Sequence, residues 1–199
     1  MSGPIRRRGA DLEAAIFAAV FGQLVEVGYR RLTMEGVAAA AHTGKAALYR
    51  RWSSKEELIG DALRHELPPP PEPPRAGTLR GDLLELLGRF RDALGTCNGA
   101  AFRVLKEDSD GVGVMHDVVH GRLIRPVKDL LYETLRAGAE RGDVRPGAAT
   151  RDMADVGPAM VVYRYMTRGE IMDDDGLVFV VDEIVLRAVA APDAAVSRP

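Results

Sequence analysis

Six of the seven residues from Pro68 to Pro74 are proline, interrupted only by Glu72. Proline carries no amide proton and restricts the residue before it, so neither a helix nor a central strand runs through such a tract. The tract is thus the clearest domain boundary in the sequence, and polyproline II conformation makes it a semi-rigid spacer able to extend about 20 Å at ~3.1 Å per residue. The 199 residues are therefore expected as a head over 1–67, a linker over 68–77 and a body over 78–199. At 46% hydrophobic they can bury one substantial core or two small ones. No apolar run approaches the ~20 residues that span a bilayer, and Asp11 and Glu13 spoil a signal-peptide reading of the start, so a cytoplasmic protein with no membrane partner is expected. The single cysteine, Cys97, excludes an intramolecular disulfide and a multi-cysteine zinc site.

The net charge of −2 conceals an asymmetry. Residues 1–65 hold 10 Lys and Arg against 7 Asp and Glu, and residues 66–199 hold 17 against 22. A basic head on an acidic body is oriented toward phosphate. Within the head, Thr33 to Trp52 reads as two short helices around a corner. Thr33 is placed to cap the first through its hydroxyl, Glu35 suits that helix's positive end, and Val37, Ala38 and Ala41 share one face. After the corner at Ala41-His42-Thr43-Gly44, Leu48 and Trp52 turn inward, four apart, while Lys45, Tyr49 and Arg50 face out. An apolar back with a basic and aromatic front is what a major-groove reader requires. Lys45, Ala46 and Ala47 in the first turn are expected at base edges. Tyr49, Arg50 and Lys55 are expected at phosphates, Lys55 because a cation in a helix's first turn invites an external anion. Arg6, Arg7 and Arg8 either reach an adjacent minor groove or form a solvated tail.

On these residues, Ile16 to Leu58 resembles the N-terminal DNA-binding domain of the TetR family of bacterial transcriptional regulators. The features that carry the likeness are Gly28-Tyr29, Thr33, Val37-Ala38, the Ala41-to-Gly44 corner, Leu48-Tyr49, Trp52 and Lys55-Glu56-Glu57-Leu58. The corner departs from the family, with His42-Thr43-Gly44 where Gly-Val-Ser is usual and Ala47 where Thr is usual. His tolerates left-handed backbone better than most residues, and Thr43 stands in as a possible cap for the recognition helix. The resemblance implies an all-α fold: an N-terminal three-helix domain with a helix-turn-helix, and a C-terminal helical domain for ligand binding and dimerisation. It further implies a DNA contact set of Thr33, Thr43, Gly44, Lys45, Ala46, Ala47, Tyr49, Arg50 and Lys55, a double-stranded operator, a small-molecule effector, and a homodimer through the last two helices. The implied function is a repressor released from a palindromic operator by its ligand. The alternative is a helical small-molecule binder or scaffold with a vestigial head.

In the body, Thr78 is placed to cap a helix running to about Leu94, with Gly95 as a break before a further helix around Asn98–Glu107. One long helix is expected over Val114–Arg141 with a kink at Pro126, then helices over Thr150–Arg168 and Asp174–Val189. Met160, Val161, Leu177, Val181, Ile184 and Val185 are expected on the dimer face, as more apolar surface than a body of this size can cover. Aromatic, methionine and histidine side chains nominate Phe90, Phe102, Met115, His116, His120, Tyr132, Met160 and Tyr163 for a ligand pocket. His116 and His120 share a helical face but lack a third ligand, and Asp173-Asp174-Asp175-Gly176 has consecutive acids where a calcium loop needs alternating ones, so it reads as a helix cap. No metal and no cofactor is expected. Without a phosphate loop, a nucleophile elbow or an H-E-x-x-H motif, an enzymatic reading has no residues to rest on.

Overall fold

The computed structural model describes residues 9–107 and 114–191, with side chains over 9–95 and 117–191. The chain divides into two units, Met1–Glu66 with Thr96–Val118 and Leu67–Gly95 with Val119–Pro199. All elements among the described residues are helical apart from one isolated antiparallel bridge, Val144 to Ala190.

In the first unit, α1 (Ala10–Glu26) buries Ile16, Phe17, Val20, Phe21 and Leu24, a stripe at helical intervals. Gly28, in left-handed backbone at φ 78°, turns the chain into the single turn α2 (Gly28–Arg31). Helices α3 (Met34–Ala40) and α4 (Lys45–Tyr49) form the corner, and α5 (Lys55–Glu66) comes next. Side chains close the helix starts. Thr33 Oγ1 accepts from the Gly36 amide at 3.1 Å, and Ser54 Oγ accepts from the Glu57 amide at 3.2 Å. Glu57 reaches back to accept from both the amide and the hydroxyl of Ser53 at 2.7 Å.

The second unit starts at Leu67, which is buried. The proline tract after it is tied to this unit rather than spanning open space. Arg89 Nη1 donates to the Glu72 carbonyl at 2.9 Å, the Arg75 amide donates to Glu85 at 3.0 Å, and Arg122 Nε approaches the Pro68 carbonyl at 3.4 Å. Thr78 caps α6 (Leu79–Glu107) through the Gly81 amide, as expected. Gly95 does not break this helix. A helical glycine costs only about 1 kcal/mol relative to alanine, against an inward stripe of Leu79, Leu83, Leu86, Leu87, Phe90 and Leu94.

The expected Val114–Arg141 helix is one path in three pieces: α7 (Val114–Val119), a π-helical segment at His120–Ile124, and α8 (Arg125–Arg141). The Arg125 amide donates to the His120 carbonyl, five residues back, so the register widens just before Pro126, whose nitrogen has no proton to give. The widening also explains the apolar spacing. Val119, Leu123, Val127, Leu131 and Leu135 are all buried at intervals of four, and each such step overshoots an α-helical turn by about 40°. The same device recurs at the end of the chain. After α9 (Arg151–Arg168), α10 (Asp174–Phe179) passes through a π-helical segment at Val180–Leu186 into α11 (Arg187–Val189), with Leu177, Val181, Val185 and Val189 buried at intervals of four. Thr150 caps α9 and Asp173 caps α10. Gly142, at φ 87°, ends α8, and the Asp143 amide returns to the Gly138 carbonyl at 2.8 Å.

Four of the six residues expected on the dimer face turn inward, which corrects that surface, while Met160 and Ile184 stay half-buried. Val161, Leu177, Val181 and Val185 are between 0% and 3% exposed within one protomer. Val181 and Val185 meet Leu83, Leu87, Leu131, Leu135, Met153, Ala154 and Gly157 around a closed core. The apolar side chains left outside on α9 and α10 are Tyr163 (63% exposed), Phe179 (57%) and Met166.

Candidate nucleic-acid interface

The corner is held from behind. Leu48 is fully buried, and Trp52 is buried with its Nε1 donating to Asp61 Oδ2 at 2.8 Å. Its ring lies 5.8 Å from that of Phe17, which in turn lies 5.2 Å from the His65 ring. Burial alone would raise the Asp61 carboxyl, but hydrogen bonds from Arg64 and Trp52 and the Arg64 charge outweigh it and hold it below its ordinary value. His42 adopts left-handed backbone at φ 52°, the conformation the turn needs where the family uses glycine. The Thr43 amide bonds to the Ala38 carbonyl at 2.9 Å, closing the turn.

Recognition-helix capping differs from expectation. The N-cap of α4 is Gly44, with no side-chain hydrogen bond, so Thr43 does not replace the usual serine. Its position one residue before the cap keeps its hydroxyl out of that role.

The front carries the expected chemistry. Lys45, Ala46, Tyr49 and Arg50 are exposed, Ala47 is half-buried, and Gly44 lies open at the corner. Thr33 is exposed as well, its hydroxyl oxygen engaged in the cap and its proton left to donate. Lys45 is ion-paired with Glu35 across the corner and lies 5.4 Å from the Tyr49 ring centroid. The hydrogen bond from Lys45 holds the Glu35 carboxyl below its ordinary value, and Glu35 raises the lysine. Arg51 is paired with Glu13 at 2.8 Å. Lys55 has an internal reason for its place: Nζ donates to the Tyr29 carbonyl at 3.1 Å, approaches that of Arg30 at 3.5 Å, and lies over the Tyr29 ring at 4.6 Å. It ties the start of α5 to the end of α2, so no external anion is needed to explain it. Neither the Glu35–Lys45 pair nor the Lys55 brace was read from the sequence. Glu35 and Lys45 stand ten residues apart, and only the turn brings them together.

Among the described residues, those nominated for a ligand pocket lie in separate places. Phe90 is fully buried in the core of the second unit. His120 lines a polar recess of about 180 Å³ with Arg125, Lys128, Asp129, Arg151 and Asp155, and the Arg151 guanidinium lies 4.7 Å from the Tyr132 ring centroid. Met160 and Tyr163 line a separate groove of about 450 Å³ that Arg164, Met172 and Phe179 complete. The side chains of Phe102, Met115 and His116 lie outside the described residues, as do Arg6, Arg7 and Arg8. No group of three or more His, Cys, Asp or Glu that could hold a metal occurs among the described residues. No helix there is long and apolar enough to cross a membrane.

Comparison with known proteins agrees with this geometry. Residues 16–62 match the family described as bacterial regulatory proteins, tetR family, and residues 73–184 match the tetracyclin repressor-like C-terminal domain. The DNA-binding transcriptional repressor TetR of Mycobacteroides abscessus is 31% identical over 180 residues, covering 90% of this chain and 94% of its own. An HTH-type transcriptional regulator of Mycobacterium tuberculosis is 30% identical over 174 residues, covering 87% and 86%. A regulatory protein of the tetR family from Rhodococcus RHA1 shares the fold with a TM-score of 0.71 at 18% identity, over 93% of this chain and 100% of that one. The chain belongs to the TetR family of bacterial regulatory proteins and is a DNA-binding transcriptional regulator, not an enzyme.

Proposed function

We propose that this regulator is a cytoplasmic homodimeric repressor that binds a palindromic operator and is released by a small-molecule effector. The observation that carries the reading is the α3–α4 corner, with a sealed apolar back, an exposed front of Lys45, Ala46, Tyr49 and Arg50, and a half-buried Ala47 among them. Repression is inferred from the relative in Mycobacteroides abscessus, named as a repressor. The effector is inferred from the tetracyclin repressor-like match over the body.

Dimerisation through the last two helices keeps support, with different residues. Tyr163 and Phe179 are exposed apolar side chains that line a groove with Met160 and Arg164, and Met166 is exposed on α9 as well. A two-fold contact there repeats each side chain on both chains. Two heads so held engage successive major grooves when their recognition helices stand about 34 Å apart, one turn of the duplex. An effector that alters this spacing weakens the complex.

The test is binding of the purified protein to genomic fragments at several salt concentrations. Selective retention of a palindromic fragment, with affinity falling steeply as salt rises, supports the reading. Salt-dependent binding with equal affinity for every fragment rejects it in favour of a vestigial head.

A further inference from the structure

The exposed front of the corner carries an acid where a reader of phosphates would keep only cations. Glu35, in the first turn of α3, and Lys45, the first residue of α4, are paired while both side chains stay more than half exposed, at 53% and 58%. Both anchor points are fixed from within, α3 by the Thr33 cap and α4 by buried Leu48. The neighbouring cations Arg51 and Lys55 are engaged elsewhere, with Glu13 and with the Tyr29 carbonyl, so Glu35 neutralises the cation at the very start of the recognition helix.

The two groups form a donor beside an acceptor. A G·C pair presents in the major groove two adjacent acceptors, guanine N7 and O6, and then the cytosine N4 donor. An ammonium on the guanine and a carboxylate on the cytosine satisfy all three with the ion pair intact. An A·T pair interrupts its acceptors with the adenine N6 donor and adds the thymine methyl, so the ammonium meets only one acceptor. Against phosphate the carboxylate is repelled, which weakens binding that ignores sequence.

We propose that Glu35 is a specificity-determining residue of the DNA interface, accepting from cytosine N4 while Lys45 donates to the guanine of the same base pair. The proposal rests on α4 being the groove-reading helix, and its test separates the two. The intact protein, Glu35→Gln and Lys45→Gln are each used to select sites from randomised duplexes, with thermal unfolding as the control for folding. The intact protein should select one G·C pair per half-site that both variants relax, each losing about tenfold of discrimination there. Preference at the other positions should stay as it was. Glu35→Gln should also bind random duplex a few-fold more tightly at low salt.

If Glu35→Gln selects the same base at the position that Lys45→Gln relaxes, the proposal is overturned and Glu35 is only a tether. If Lys45→Gln relaxes no position, the proposal also fails. If the intact protein selects no sequence at all, the reading of α4 itself has failed.

Discussion

The two units share buried apolar stripes and side-chain caps, and differ in how their helices run. In the first, short helices meet at corners, and their ends are closed by side chains: Thr33 on Gly36, Ser54 and Glu57 around the start of α5, Trp52 on Asp61, Lys55 on the Tyr29 carbonyl. In the second, Thr78, Thr150 and Asp173 likewise cap helix starts, and two of the helical paths pass through π turns between buried apolar residues four apart. A polar clasp at an exposed helix end is worth about 1 kcal/mol, whereas burying a large side chain is worth about 1.5–3 kcal/mol and placing an unpaired charge in its stead costs several more. Substitutions should therefore be graded by unit, and DNA reading should tolerate a loosened head better than an opened body.

The largest effect is expected at Val181. Val181→Arg puts an unpaired charge among Leu83, Leu87 and Leu131, costing about 4 kcal/mol or more and unfolding the body even in a dilute monomer. Phe179→Arg, on the exposed face, should leave the unfolding temperature nearly unchanged and dissociate the dimer in sedimentation. Equal thermal effects of the two would erase the distinction between core and dimer face on these helices.

A smaller effect is expected where the head uses a charge as a clasp. Asp61→Asn weakens the hydrogen bond to Trp52 and loses that to Arg64, costing about 1–2 kcal/mol at neutral pH. Because the folded-state pKa of Asp61 lies below its unfolded value, its contribution is present above the unfolded carboxylate range and is lost as pH falls through the folded value. Exposure of the Asp61–Arg64 pair reduces this further. Thermal unfolding between pH 7 and pH 3 should fall less steeply for Asp61→Asn than for the parent, and parallel curves would place the acid sensitivity elsewhere. The smallest effect should be Lys55→Met, a loss of about 1 kcal/mol of stability with the salt dependence of DNA binding unchanged. A slope reduced by about one phosphate contact would return Lys55 to the DNA interface.

Legibility divided along the same line. Most of the head could be read because its determinants are local. Thr33 lies three residues from the amide it caps, Leu48 and Trp52 sit four apart on one face, and His42 occupies the one corner position that requires left-handed backbone. The contacts missed there, the Glu35 partner of Lys45 and the brace from Lys55 to Tyr29, join residues ten or more apart. In the body, counting apolar residues correctly predicted helices but assigned the buried face of the last two to a dimer contact. On a strict α-helical wheel Leu177, Val181, Val185 and Val189 drift by about 120° in all, and the π segment narrows that drift. The four-residue spacing was the available signal. Stiffness alone suggested a free proline spacer, whereas Arg89 and Glu85, supplied by α6, tie it down.

On the proposed function, α4 enters the major groove in a two-fold complex. Methylation protection of a selected operator tests this most directly, because guanine N7 lies in the major groove and adenine N3 in the minor. Two clusters of protected guanine N7 should appear, centred about one helical turn apart and related by the symmetry of the site, with adenine N3 between them still reactive. Protection of adenine N3 with guanine N7 left open, or a single unpaired cluster, would contradict it.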